Sequence, residues 1–143
     1  MTEPDYSATI PADTGAIAGV TDSLGKIMKA HAFGEDEILD VQLAAEEAIA
    51  NIIRHGYRDG TGEITVSCSA SGEMVEVQIE DSAPPFDPLS LPEPDLAADI
   101  DSRTAGGLGI PLIRRVTDGI TYRYENGKNI LVLVRWKAFP LSR

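Results

Sequence analysis

The segment that decides the fold is residues 44–55, which read AAEEAIANIIRH. Small and branched apolar residues dominate this segment, which is typical of a helix that packs into a protein core. Glu47, Asn51 and His55 recur at intervals of four, so they lie on one face of such a helix and form a polar stripe. A polar group that is buried without a partner costs about 1–3 kcal/mol. We therefore expect a bound ligand over this stripe.

Upstream of this segment, the sequence predicts a short strand at residues 6–11 and a first helix. Apolar residues recur at helical spacing over residues 14–33, and Gly34 is the expected stop of that helix. The helix that carries the stripe is expected to begin at residues 35–37, EDE, because acidic side chains suit a helix N-terminus. It is expected to end at residues 55–56.

Downstream, alternation of apolar and polar residues predicts two hairpins. The first joins strands at residues 64–70 and 75–81, and a proline-rich loop at 82–105 and a short helix at 110–116 follow it. The second hairpin turns at Asn126-Gly127, and its alternating positions are Ile120, Tyr122, Tyr124, Ile130, Val132, Val134 and Trp136. This order of elements predicts an α/β fold, a two-layer sandwich in which helices cover one face of a mostly antiparallel sheet.

Length and charge restrict the class of protein. A chain of 143 residues suits one domain, which we expect to span residues 1–143. The net charge of −11 argues against nucleic-acid or anionic-membrane binding, so an anion would be held by backbone N–H groups, a metal ion and a few cations. The single cysteine, Cys68, is expected to be a buried hydrophobe. No membrane span or signal pattern is visible, so we expect a cytoplasmic protein.

The stripe admits two interpretations. A solvated face is the general expectation for a Glu-x-x-x-Asn pair, but the small Ala44 and Ala48 beside the stripe leave room for a ligand. The amide oxygen of Asn51 suits Mg²⁺, and the Glu47 carboxylate one turn earlier could take a proton from an attacking hydroxyl. His55 either orients a polar group or closes the C-terminus of the helix.

Two further segments fit a nucleotide. Asp81 ends a half-buried strand, where it is either a turn-forming residue or an acceptor for the exocyclic amine of adenine. The segment Gly106-Gly107-Leu108-Gly109 precedes a helix. Glycine lets the backbone approach a phosphate, and a helix N-terminus presents free N–H groups to an anion. Taken alone this segment is a weak signal, and it is neither a Walker loop nor a dinucleotide fingerprint.

In their order and spacing, these segments resemble the boxes of the GHKL ATPase superfamily: gyrase-type ATPases, heat-shock chaperones, histidine kinases and mismatch-repair ATPases. Residues 47–57 match the N box, residues 81–88 the G1 box and residues 106–109 the G2 box. The chain looks most like the anti-sigma-factor serine/threonine kinases of that superfamily, over about Tyr6 to Lys137. The resemblance implies a Bergerat-type ATP-binding fold.

The resemblance also implies a function. Kinases of this kind use Mg-ATP to phosphorylate a STAS-domain anti-anti-sigma protein, which competes with a sigma factor for the kinase, and they are homodimers. Carried over, Glu47 is the general base, Asn51 the Mg²⁺ ligand and Asp81 the adenine acceptor, with residues 82–105 as the ATP lid. The remaining nucleotide-binding positions implied are His55, Ala83, Phe86, Gly106, Gly107, Leu108 and Gly109.

One position departs from the family pattern. The G1 box normally has glycine two residues after the aspartate, where this chain has Ala83. Its methyl group is expected to crowd the nucleotide or to forbid a positive φ, so that ATP binding survives in weakened form. This departure keeps open an alternative, a nucleotide-sensing binding module that sequesters a partner without phosphorylating it. We do not expect a histidine kinase, because no dimerisation helix with a phospho-acceptor histidine is visible before the domain.

Overall fold

The computed structural model describes residues 3–57, 61–90 and 109–138. Five strands form one antiparallel sheet in the order β1-β2-β3-β5-β4. The strands are β1 (Tyr6–Pro11), β2 (Glu63–Ala70), β3 (Met74–Asp81), β4 (Gly119–Glu125) and β5 (Lys128–Trp136). The helices are α1 (Ile17–Ala30), α2 (Glu35–Asn51) and α3 (Gly109–Val116). Short 3-10 turns occupy Thr14–Ala16 and Pro88–Ser90, and α2 continues into a π-helical turn at Ile52–Gly56.

The three helices pack side by side on one face of the sheet, with α1 over β1 and β2, α2 over β3 and β5, and α3 over β4. Their apolar faces and the inward side chains of the strands form one core, in which Leu24, Ile49, Ile64 and Ile79 are fully buried. The predicted two-layer sandwich is confirmed, and it places α2 and β3 against each other at the centre of the molecule.

The connection between α1 and α2 differs from the prediction. Gly34 does not stop α1: the helix ends at Ala30, and Ala32 adopts the left-handed conformation with φ of 64°. Gly34 is instead the N-cap of α2, in extended conformation, and its N–H donates to Oε1 of Glu37 at 2.7 Å. Glycine is common at both kinds of helix end, so spacing alone did not distinguish them.

The alternating apolar residues predicted on β5, from Ile130 to Trp136, lie on the outer face of the sheet. Leu131 and Leu133 face the core, whereas Val132 and Val134 are half-buried and Trp136 is 47% exposed. β5 is apolar on both faces because it is an interior strand, paired with β3 and β4, and a period of two does not tell which face is inward. The predicted turn is confirmed: Asn126 and Gly127 both have positive φ, as a two-residue hairpin loop requires.

A buried carboxylate joins the end of β5 to the start of α2. Glu37 is 5% exposed, and its two oxygens accept hydrogen bonds from the N–H groups of Gly34 and Ala138. Lys137 beside it donates to the carbonyl of His31 at 2.6 Å. The α1–α2 connection is therefore fixed to the sheet by polar contacts at the end of β5.

Replacing Glu37 with alanine is expected to lower the free energy of unfolding by about 2 kcal/mol, because hydrogen bonds to a charged group contribute about 1.5–3 kcal/mol. Urea unfolding measures the loss. Asp36→Ala is the matched control, since Asp36 is exposed in the same helical turn. Equal losses in both variants would show that the contacts of Glu37 contribute nothing beyond helix-terminal charge.

Candidate nucleotide-binding site

A cavity lies between α2 and the sheet, with about 430 Å³ of space outside the protein atoms, its open mouth included. It is lined by both buried polar residues of the predicted boxes, Asn51 and Asp81. The apolar part of its wall comes from Ala48, Ile52, Ile79, Phe86, Pro88, Ile110 and Leu131. A mostly apolar pocket with a few convergent polar groups is typical of a small-molecule site.

Asn51 ends α2 and is 6% exposed. Its Nδ2 finds no hydrogen-bond partner among the described residues, where the only other such buried side-chain atom is Nε of Arg135. A buried amide without a partner is costly and calls for an explanation. Its place in the wall of the cavity indicates that a ligand completes its hydrogen bonding.

Glu47 lies one helical turn before Asn51 on the same face of α2, as predicted. It is half-buried and makes no hydrogen bond or ion pair with the described part of the chain. It does not line the cavity itself, although the neighbouring Ala48 does. A carboxylate held by no internal partner is available to accept a proton from a bound molecule.

Asp81 ends β3 and is 5% exposed. Its Oδ1 accepts hydrogen bonds from the N–H of Ala83 and from Nδ2 of Asn129, both at 2.9 Å. The described residues give Oδ2 no hydrogen bond, so this oxygen is available to a ligand. Burial raises the pKa of the carboxyl above its usual value, and the two hydrogen bonds and the charge of Lys128 oppose that rise.

Asn129 on β5 is a site residue that the sequence reasoning missed. It is 6% exposed and lies directly opposite Asp81 in the β3–β5 register. The available signal was its position: it shares the inward face of β5 with Leu131 and Leu133, where a polar side chain is unusual. Tyr122 on β4, also missed as a site residue, lines the cavity and donates its hydroxyl to Oδ1 of Asn129.

The π-helical turn after α2 positions His55 away from the central cavity. His55 stacks on Phe86 with ring centroids 6.0 Å apart, and the two rings line a second, more open cleft of about 1100 Å³. Phe86 belongs to both cavities. His55 therefore contacts the G1 segment, which favours the orienting role over simple closure of the helix. Turns of this π type are frequent at functional sites.

Tyr57 holds this turn against the sheet, and the sequence reasoning did not identify it. Its hydroxyl donates to the carbonyl of Glu63 at 2.8 Å and accepts from the N–H of Ser82 at 2.7 Å. Its own N–H donates to the carbonyl of Ile52 at 3.0 Å. The end of α2, the start of β2 and the exit of β3 are therefore linked by one side chain.

Ala83 is accommodated without the conflict expected from the sequence. Its φ is not positive, so the methyl group meets no backbone restriction. The residue is 3% exposed, and its Cβ would lie 3.1 Å from a Cβ built on Gly56. Ala83 lines the second cleft and not the cavity of Asn51 and Asp81. Gly56 thus provides the space that the methyl group of Ala83 occupies.

The glycine-rich segment is only partly described. Gly106, Gly107 and Leu108 lie outside the described residues, so their predicted contact with phosphates stays a prediction. Gly109 begins α3, and the next residue, Ile110, lines the cavity. The N-terminus of α3 therefore borders the cavity, where its free N–H groups suit an anion.

Cys68 is buried, as expected from its place in an alternating strand. Burial raises the pKa of the thiol to about 12, and the negative charge of Asp5 adds to that rise. The thiol is therefore uncharged near neutral pH and takes no part in chemistry.

Known proteins resemble this chain over most of its length. The family described as "Histidine kinase-like ATPase domain" matches residues 10–135. The chain belongs to this family. The predicted recognition of a GHKL-type ATPase is thereby confirmed.

The chain is also similar to proteins named "Serine-protein kinase RsbW". The one from Bacillus cereus (strain G9842) is 28% identical over 127 residues, which cover 86% of this chain and 79% of that protein. The one from Bacillus thuringiensis subsp. konkukian (strain 97-27) is 26% identical over the same shares of both chains.

A solved structure has the same fold. It is the crystal structure of the RsbU and RsbW domains of Rv1364c from Mycobacterium tuberculosis, with a TM-score of 0.65 at 19% sequence identity. The match covers 94% of this chain but 32% of that chain, so this chain spans about a third of its length.

Gly56→Ala is expected to lower the free energy of unfolding by about 1–3 kcal/mol, because the new Cβ presses on that of Ala83. The double variant Gly56→Ala, Ala83→Gly removes the opposing methyl group and is expected to recover most of the loss. Urea unfolding of the wild type, both single variants and the double variant measures the coupling. Strictly additive effects would contradict the contact.

The raised pKa of Asp81 has a consequence for stability. Between the ordinary pKa of an aspartate and the raised one, the unfolded chain binds fewer protons than the folded chain, so the contribution of Asp81 to stability falls as pH rises. Asp81→Asn removes this titration. We expect the stability of wild type relative to Asp81→Asn, measured by urea unfolding of the unliganded proteins, to decrease with pH in that window. A difference that does not change with pH would contradict the assignment.

Proposed function

We propose that this protein is an Mg-ATP-dependent serine/threonine protein kinase that phosphorylates a STAS-domain anti-anti-sigma protein within a partner-switching cascade. One observation carries the proposal. The buried Asp81, with Oδ2 available, and the buried Asn51, with Nδ2 unpartnered within the described ranges, line the same cavity beneath the sheet. Asp81 suits the adenine base, and Asn51 suits the metal-phosphate part of the same nucleotide.

The predicted enzyme class, a protein serine kinase, is confirmed by the relatives, which are named serine-protein kinases. The family match supports the use of ATP. The STAS-type substrate and the requirement for Mg²⁺ rest on the resemblance of residues 47–57 and 81–88 to the boxes of anti-sigma-factor kinases.

The residues present fit Mg-ATP. Asp81 can accept a hydrogen bond from the exocyclic amine of adenine through Oδ2, and Phe86 provides an aromatic wall beside it. Asn51 is the candidate Mg²⁺ ligand, through Oδ1. No group of three or more histidine, cysteine, aspartate or glutamate residues within ranges 3–57, 61–90 and 109–138 forms a metal site by itself. Mg²⁺ keeps several waters and shares phosphate oxygens, so one amide oxygen from the protein is a suitable ligand for it.

Bound Mg²⁺ would neutralise charge on the phosphates, and the chain's own residues supply position and a base. Glu47 lies one turn from Asn51, and in this proposal its carboxylate takes the proton from the substrate hydroxyl. The oxygen of that hydroxyl then bonds to the γ-phosphorus as the bond to the bridging oxygen breaks. ADP leaves with that electron pair, and the proton remains on Glu47 until solvent removes it.

The partners are proposed from the resemblance. They are a STAS-domain protein as substrate, a sigma factor as competitor and a second copy of this chain in a homodimer. We likewise propose a single domain over residues 1–143 and a location in the cytoplasm. None of the helices in the described ranges is long and apolar enough to cross a membrane. The net charge of −11 disfavours nucleic acid as a direct partner.

The alternative, a binding module without transferase activity, is not favoured. Its motivation was the methyl group of Ala83, which is packed beside Gly56 and outside the cavity of Asn51 and Asp81. Glu47 is also present and has no internal partner in the described part of the structure. We therefore propose phosphate transfer and not sequestration alone.

Glu47→Ala is expected to reduce phosphate transfer from ATP to a purified STAS-domain protein by about 10²–10⁴-fold, the usual contribution of a general base. Its affinity for Mg-ATP should stay close to that of the wild type, because Glu47 does not line the cavity. Transfer of radiolabelled phosphate and calorimetry measure the two quantities.

The matched control for this assay is Glu46→Ala, because Glu46 is the exposed neighbour of Glu47 on α2 and should be neutral. Transfer that is equally impaired in both variants would remove Glu47 from the mechanism. A wild type that binds Mg-ATP but phosphorylates no STAS-domain protein would refute the kinase assignment.

A further inference from the structure

We propose that Asn129 is a positioning residue that sets the adenine specificity of the site, by holding the Asp81 carboxylate and the backbone after it in one fixed geometry. This inference rests on the proposed ATP site. It assigns a role to a residue that belongs to none of the three boxes and lies 48 positions from Asp81 along the chain.

The carboxamide of Asn129 has five partners. Its Nδ2 donates to Oδ1 of Asp81 at 2.9 Å, to the carbonyl of Ala83 at 3.0 Å and to the carbonyl of Pro84 at 3.2 Å. Its Oδ1 accepts from the N–H of Phe86 at 3.1 Å and from the hydroxyl of Tyr122. One buried side chain therefore holds four residues of the segment that leaves β3, Asp81, Ala83, Pro84 and Phe86.

The chemistry of these partners requires an amide. Two carbonyls and a carboxylate need a donor, whereas an N–H and a hydroxyl need an acceptor, and a carboxamide supplies both from one rigid plane. A carboxylate of the same shape would lose the donor and add a second negative charge next to Asp81. An alanine would remove all five hydrogen bonds, including the buried ones to Asp81 and to the carbonyl of Ala83, and leaving buried polar groups without these bonds is costly.

The position of Asn129 beside Asp81 follows from the register of the sheet. Asp81 and Asn129 are paired in the β3–β5 register, so the ladder presents the two side chains to each other. Because Oδ1 of Asp81 is occupied by Asn129 and by the N–H of Ala83, only Oδ2 remains for a ligand. The orientation of that oxygen, and with it the preference for an amine donor on the base, is therefore fixed by Asn129.

The test uses the full chain and two substitutions. Asn129→Ala removes the side chain, and Asn129→Asp keeps its shape, so that a failure of the alanine variant to fold leaves the proposal testable. Val132→Ala is the control, because Val132 is half-buried on the outer face of the same strand and touches none of these groups. Calorimetry measures the dissociation constants for Mg-ATP and Mg-GTP, and urea unfolding measures stability.

We expect both Asn129 variants to bind Mg-ATP roughly tenfold more weakly, the effect of losing a hydrogen bond to a charged group, with little change for Mg-GTP. Val132→Ala should lose stability and keep its affinity for Mg-ATP. Reduced stability with an unchanged ratio of ATP to GTP affinity in the Asn129 variants would reduce Asn129 to a structural residue and overturn the proposal.

A second measurement separates this proposal from the proposed function. Carboxyl ¹³C NMR of the unliganded protein follows the titration of Asp81, whose pKa should be higher in Asn129→Ala than in wild type because a hydrogen bond to the charged form is lost. The titratable groups that share a cavity with Asp81 are Tyr57, Glu63, Glu80, Tyr122 and Lys128. These remain in every variant.

An unchanged pKa of Asp81 would overturn the positioning role, even in a protein that binds ATP. A raised pKa in a protein that binds no nucleotide would refute the proposed function and support the contact between Asn129 and Asp81. The two failures are therefore distinguishable.

Discussion

The structure of the site depends on one constraint, the burial of a carboxylate at the end of a central strand. Asp81 is 5% exposed, and a buried charge is tolerated only where hydrogen bonds replace the lost water. Asn129 from the neighbouring strand and the N–H of Ala83 supply those bonds. The hydrogen bond from the N–H of Ala83 forms only if the chain turns immediately after β3. The turn, the position of Phe86 and the wall of the cavity follow from this requirement.

The site contains two buried asparagines with different roles. The part around Asn129 is fixed by internal hydrogen bonds, and the part around Asn51 is left open for a ligand. Asn129 makes its hydrogen bonds inside the protein, and in the proposed ATP complex it belongs to the framework that faces the base. Asn51 has a buried Nδ2 with no partner in the described segments, so its interactions are completed by a ligand. A framework fixed before binding favours selectivity for the base, because little ordering is needed when the ligand arrives. The open part lies beside α2, which carries Glu47, the proposed general base.

Much of this arrangement could be predicted from the sequence, because the signals are local. The period of α2 placed Glu47 one turn before Asn51, and the alternation of β3 ended at Asp81. Asn129 and Tyr57 were missed because their roles depend on partners in other strands, which periodicity does not reveal. The positive φ considered at Ala83 is not found, and the space for its methyl group comes from Gly56, a residue of another element. Local pattern therefore predicted the elements, and pairing between distant segments determined the details of the site.

The most direct test of the central claim, an adenine-selective cavity between α2 and the sheet, is the thermal stability of the purified chain with Mg-ATP, Mg-ADP and Mg-GTP. A ligand at 100 times its dissociation constant adds about 2.7 kcal/mol to the free energy of unfolding, which is readily seen for a domain of this size. We expect both adenine nucleotides to stabilise the chain in an Mg²⁺-dependent way, and we expect no stabilisation by Mg-GTP. No stabilisation by any of the three, or equal stabilisation by Mg-ATP and Mg-GTP, would contradict it.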